Sequence, residues 1–176
     1  MTTSPRTRSD AAPARDRVSF GSPSLPPNRL VLGDNLRLMR ALRDASIDLI
    51  YVDPPFYTGR EHAMTNGDAG FSDTWPDIDA YVAWLSERFA EMRRLLAPTG
   101  VLCVHCDWHA GHYIKVALDR IFGAGMFRNE IVWHYGLGAA NATRHVLRKH
   151  DTIFVYGAPD STFHRIRGDV TSAMLA

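Results

Sequence analysis

From Leu30 onward the apolar positions switch repeatedly between a short continuous run and a helical spacing, and this switching predicts alternating strands and helices. Leu30-Val31-Leu32 is a short apolar run closed by Gly33-Asp34, read as a first strand. Residues 35–43 then place Leu36, Met39, Ala41 and Leu42 at helical spacing. Residues 47–52 are apolar except for Asp48, the pattern of a strand covered on both faces. The longest predicted helix is 79–97, with Tyr81, Trp84, Leu85, Phe89, Met92 and Leu96 on one side and a Pro98-Thr99-Gly100 stop. A strand at 101–106, a helix over 108–121 capped by Asp107 and ended at Gly123, a strand near 130–135 and a last strand at 152–156 complete the series. The order predicts an α/β fold with a mixed, mainly parallel sheet, helices on both faces, and the strand 47–52 at its centre.

Composition narrows this only a little. A chain of 176 residues, 45% hydrophobic and 22% charged, has the makeup of a globular domain. No window is apolar enough for a membrane helix and the first residues lack the core of a secretory signal, so the expected location is the cytoplasm. Residues 1–28 carry five prolines among Ser, Thr, Ala and Arg and have no apolar period, so a disordered arm is expected there. The domain itself is expected over 29–158, with 159–176 starting a further region. A net charge of +1 does not mark a nucleic-acid binder, so any case for DNA has to come from chemistry. Cys103 and Cys106, the only cysteines, have a spacing that invites a zinc reading, but they lie within one predicted strand and no second ligand pair exists. They are read as small core residues, and no metal is expected.

The chemistry lies in Asp53-Pro54-Pro55-Phe56, directly after the strand 47–52 and therefore at the carboxyl end of a parallel strand, where open α/β sheets build their sites. A rigid turn would explain two prolines but neither the acid nor the aromatic residue beside them. An exocyclic amine on a nucleobase is a poor nucleophile because its lone pair is delocalised into the ring. A carboxylate accepting one N–H and a carbonyl accepting the other localise that pair on nitrogen. Asp53 supplies the carboxylate and Pro54 the carbonyl, while consecutive prolines fix φ and remove competing donors. Phe56 offers a plane for a base drawn out of the duplex.

This tetrapeptide resembles the fourth motif of the DNA amino-methyltransferases, and the resemblance continues along most of residues 28–158. Gly33-Asp34-Asn35, Tyr57-Thr58-Gly59, Phe71-Ser72-Asp73 with Trp84, Gly100-Val101-Leu102, Asp107, Ile121-Phe122-Gly123 and His150-Asp151 before Val155-Tyr156 are similar to modification subunits of type III restriction systems and related beta-group adenine methyltransferases. The resemblance implies a Rossmann-like methyltransferase fold, present in part, with the final two strands antiparallel. It implies S-adenosylmethionine as methyl donor, double-stranded DNA as substrate, and adenine N6 as target, since an acid in the first motif position accompanies adenine. It also implies a C-terminal methyltransferase half or a restriction subunit as partner. Asp34 matches the family's acidic position near the adenosine, and equally reads as a helix cap. Arg144, Arg148, Lys149 and His150 fall where the family faces DNA, and a solvated loop is the other reading.

The family's Phe-x-Gly-x-Gly turn, which holds the donor, has no counterpart here. Phe122-Gly123-Ala124-Gly125 follows a helix, where glycine is a C-cap, and the residues after Gly136-Leu137-Gly138 make a poor helix. The chain is therefore read as a truncated or split enzyme whose cofactor half is elsewhere. Two rivals stand beside this reading: a methyltransferase acting on cytosine N4 or on guanine of ribosomal RNA, and a DNA-binding remnant without activity.

Overall fold

The computed structural model describes residues 28, 30–62, 70–136 and 146–164. The chain divides into two units, residues 1–31 and 32–176. The arm expected over 1–28 lies outside the described residues except for Asn28, as does 165–176 at the other end.

Asp34 opens α1 (Asn35–Ala41), its carboxylate accepting the amides of Leu36 and Arg37, and Leu36 and Met39 carry the helix into the core. β1 (Ile47–Val52) has the predicted bounds. Two three-residue strands, β2 (Arg60–His62) and β3 (Phe71–Asp73), form an antiparallel pair beyond it. Asp77 caps α2 (Ile78–Leu95), which buries Tyr81, Leu85, Phe89, Met92 and Leu95. β4 (Leu96–Cys106), α3 (Gly111–Phe122), a 3-10 turn at Ala124–Met126, β5 (Phe127–His134) and β6 (His150–Gly157) complete the order.

The main sheet runs β1-β4-β6-β5. β1 and β4 are parallel, and β6 is antiparallel to both β4 and β5, as the resemblance implied for the last two strands. Leu102, Val104 and Cys106 on alternate positions of β4 meet Phe154 and Tyr156 of β6 in one buried cluster with residues of all three helices. Burying these side chains is the main stabilising contribution, roughly 1.5–3 kcal/mol for each large aliphatic or aromatic residue.

Three expectations need correction. Among the described residues β1 is an edge strand, not the centre, and the apolar run Leu30-Val31-Leu32 forms no strand. Leu49 and Tyr51 of β1 are 63% and 56% exposed, so the continuous apolar run of that strand did not signal cover on both sides. The helix after β4 starts at Gly111, not 108. Asp107 turns its carboxylate onto the amide and ring of His109 and so caps a preceding turn.

Candidate active site at the carboxyl ends of β1 and β4

Asp53 leaves β1 at its carboxyl end, and the four residues Asp53 to Phe56 line a cavity of about 470 Å³ with Thr58, Phe71 and Asp73. The Asp53 side chain is 61% exposed and directed at this space, not bound into the core. Behind the loop the backbone bends through two left-handed residues, Tyr57 at φ 63° and Gly59 at φ 69°. Glycine adopts that region freely, whereas a tyrosine there costs on the order of 1–3 kcal/mol and persists only if its surroundings hold it.

Asp73 holds it. This residue, 1% exposed at the end of β3, accepts the amides of Tyr57 at 2.8 Å and Thr58 at 2.9 Å and the Thr58 hydroxyl at 2.5 Å. Its own carbonyl accepts the Gly59 amide. The β2–β3 pair thus positions one carboxylate to fasten the turn that follows Phe56. A second fastening comes from α2, where the Tyr81 hydroxyl donates to the Pro55 carbonyl at 2.6 Å. Burial, and then the neighbouring Asp73 carboxylate, push this hydroxyl well above the ordinary tyrosine range, so it remains a donor. Pro55 thus has its carbonyl engaged by α2, while Pro54 beside it lines the cavity.

The parallel register pairs Val52 with Val104, so Asp53 stands beside His105, and Asp107 lies two residues further on. His105 Nδ1 is 3.7 Å from Asp53 Oδ1, its ring meets Phe56 edge-on with centroids 5.5 Å apart, and its Nε2 is 3.2 Å from Asp151 Oδ2. This histidine was read from the sequence only as part of a buried strand. The signal that could have found it is the alternation of that strand, which sets His105 on the opposite face from Val104 and Cys106.

The β6 strand is antiparallel to β4 and begins at this same end, which brings the basic segment before it near the site. Arg148 lies over the exposed Trp108 ring at 3.7 Å, and Trp108 stacks on His109 at 3.8 Å. Lys149 is half-buried, its carbonyl accepting the Tyr135 amide, and His150 is exposed at the start of β6. Arg144 lies outside the described residues, as does most of Gly136-Leu137-Gly138.

Asp34 is engaged elsewhere. Besides capping α1, its Oδ2 pairs at 3.0 Å with Arg88, a residue 6% exposed that also binds Asn35 and covers the Trp84 ring. Gly123, at φ 90°, ends α3 and hands the chain to the 3-10 turn, so Phe122-Gly123-Ala124-Gly125 is a helix terminus. Cys103 and Cys106, three apart on a strand, point to opposite faces and cannot close on one ion. Burial raises both thiols, Cys106 to about 12 with help from Asp107.

The chain belongs to the DNA methylase family, whose model matches residues 47–171. It is 27% identical over 135 residues to a type II methyltransferase, M.KpnI of Klebsiella pneumoniae, covering 74% of this chain and 32% of that protein. It is likewise 27% identical over 153 residues to the StyLTI Mod subunit, a type III restriction-modification enzyme of Salmonella typhimurium, covering 73% of this chain and 24% of that one. The chain thus spans about a third or less of these relatives. Among solved structures it is similar in fold to the PvuII DNA methyltransferase, described as cytosine-N4-specific, with a TM-score of 0.54 and 17% identity over 74% of this chain and 49% of that one.

Proposed function

We propose that this chain is the base-gripping part of a DNA methyltransferase that places a methyl group from S-adenosylmethionine on adenine N6. The observation that carries the reading is the loop Asp53 to Phe56, held from behind by Asp73 and Tyr81 and lining a cavity of about 470 Å³. Asp53 Oδ accepts one amine N–H and the Pro54 carbonyl the other, and Phe56 stacks on the extruded ring. Because the loop is fixed before the base arrives, little is lost in ordering it. The target base is taken as adenine from the acid at 53. Serine is the residue usual for cytosine N4.

The described residues do not make a complete site for the methyl donor. Asp34 retains an exposed carboxylate edge that could face the adenosine, but it is bound to Arg88 and to the start of α1, and the two-glycine turn at the end of α3 is a helix cap. Donor binding is therefore assigned to a further methyltransferase half, with a restriction subunit as a second partner. Arg148 and Lys149 are assigned to DNA phosphates, a role supported by the topology that brings them to the site end of the sheet, and Arg144, outside the described residues, is assigned with them from its place in the sequence. None of the described helices is long and apolar enough to cross a membrane, and we place the protein in the cytoplasm.

The test is transfer of labelled methyl from S-adenosylmethionine to unmethylated duplexes bearing adenine or cytosine as the only target. The chain alone is expected to be nearly inactive, since an unoriented donor forfeits a proximity contribution of about 7–11 kcal/mol. The chain joined to a cofactor-binding half from a relative should methylate adenine, and Asp53→Ala in that assembly should not. Robust transfer by the chain alone would show that the donor site has been misplaced. Undiminished activity of Asp53→Ala would remove the proposed mechanism.

A further inference from the structure

His105 occupies a place that the methyltransferase reading does not use. Its side chain is 18% exposed on the open face of β4, and groups from the β1 end and from β6 converge on it. Tyr51 Oη and Asp53 Oδ1 of the β1 end lie 3.3 and 3.7 Å from Nδ1. Asp151 of β6 lies 3.2 Å from Nε2, and Tyr135, just after β5, donates to the other oxygen of Asp151 at 3.3 Å. Cys103, two residues back on β4, shares its face, and burial keeps that thiol protonated.

The two ring nitrogens therefore meet different partners. Asp151 is a carboxylate that only accepts and is the nearer of the two, so it selects the tautomer with the proton on Nε2 and leaves the lone pair on Nδ1, where the Tyr51 hydroxyl is the donor in reach at 3.3 Å and Asp53 lies 3.7 Å away. A carboxylate behind a histidine fixes tautomer and ring orientation in the same way in hydrolase triads. The Tyr135 hydroxyl, which burial and then the Asp151 charge push upward, stays protonated and holds Asp151 from its far side. The 3.7 Å gap between Nδ1 and Asp53 is longer than a hydrogen bond, and such pairs commonly tighten only when substrate is present.

Methylation of an amine leaves one proton too many. The nitrogen lone pair forms the new N–C bond, the sulfonium C–S bond breaks with its pair remaining on sulfur, and the alkylated nitrogen is left positively charged until a proton departs. Asp53 is in place to accept that proton, but a protonated Asp53 can no longer accept from the next amine. We propose that His105 is the positioning and relay residue of this loop: Asp151 fixes its tautomer, and its Nδ1 takes the proton from Asp53, restoring the carboxylate. The imidazolium formed lies between Asp53 and Asp151 and loses the proton to solvent at the open face. This role rests on the methyltransferase reading, and the geometry around His105 can be tested apart from it.

Two measurements decide it. In the chain itself, nitrogen NMR of labelled imidazole is expected to show His105 mainly as the Nε2–H tautomer, with Asp151→Ala moving a large share of the population to Nδ1–H. A ring already mainly Nδ1–H, or populations indifferent to Asp151→Ala, overturns the relay. In the assembly that methylates, His105→Asn keeps a polar group toward Asp53 and His105→Gln keeps one toward Asp151, yet neither amide can take up a proton and pass it on. Both should slow transfer about 10- to 100-fold at unchanged KM for DNA and flatten the acid side of the pH profile. Recovery of rate and pH profile by His105→Asn would show a merely structural role and overturn the relay, with thermal melting of each variant separating this from misfolding. Failure of every assembly to methylate would strike the parent reading and the relay with it, and is told apart because the tautomer measurement needs no methyl donor.

Discussion

Two acids of this chain stand at positions the family resemblance singles out, and the structure treats them differently. Asp73 is buried, takes three hydrogen bonds from the turn behind Phe56, and so organises the acceptor loop from inside the protein. Asp34 is half-exposed at the start of a seven-residue helix and is tied to Arg88. The loop after β1 is thus fastened from behind by residues of the described chain, while Asp34 caps a helix and pairs with Arg88. An acid at a matching position says little by itself. What it is bonded to decides whether it shapes a site or supports a helix.

The largest effect that would sharpen this contrast is on activity. Asp53→Ala is expected to reduce methyl transfer in the completed assembly by about 100-fold or more, the scale of a positioned acceptor, with an unchanged melting temperature because the side chain is exposed. Asp73→Ala should act on stability as well. It leaves two amides and a hydroxyl without their acceptor and releases the left-handed Tyr57, so urea unfolding should show a loss of about 2–4 kcal/mol. A loss near zero would mean that the turn holds itself, and the comparison with Asp34 would fail.

Tyr81→Phe is a smaller test of the same fastening. It removes one buried donor to the Pro55 carbonyl, with an expected cost of about 1–2 kcal/mol and a several-fold fall in transfer. Its pH signature has a defined sign. The folded-state pKa is raised, so the contribution of this hydroxyl is complete below the ordinary tyrosine value near 10 and declines as pH rises beyond it, where the unfolded chain ionises first. Alkaline denaturation should therefore be less steep in Tyr81→Phe. Least affected should be Asp34→Ala, at about 1 kcal/mol for a lost cap and a half-exposed ion pair, measured by thermal melting.

Much of this arrangement was legible in the residues. The run 47–52 gave β1 its bounds, and the acid, prolines and aromatic after it marked the loop because no purely structural turn requires all four. The periodicity of Tyr81, Leu85, Phe89 and Met92 was enough for α2. The β2–β3 pair was not legible, since three-residue strands show no period and their pairing is non-local. Asp73 therefore appeared only as a letter in a matched motif, without its function as a clasp. His105 was missed for another reason. A strand among apolar neighbours reads as buried throughout, and only the register against β1 shows that its odd positions face Asp53 and Asp151. Leu30-Val31-Leu32 shows the converse error, an apolar run that forms no strand.

The outer edge of β1 also bears on how the chain behaves in the tube. Among the described residues nothing pairs with that edge, and Leu49 and Tyr51 stand exposed on the strand, with Asp48 as its sole charge. Such an edge is a template for another strand, and a single acid at one end is weak protection against it. Handled at high concentration the isolated chain should self-associate through β1, its light scattering rising with concentration and falling when Leu49 is replaced by lysine.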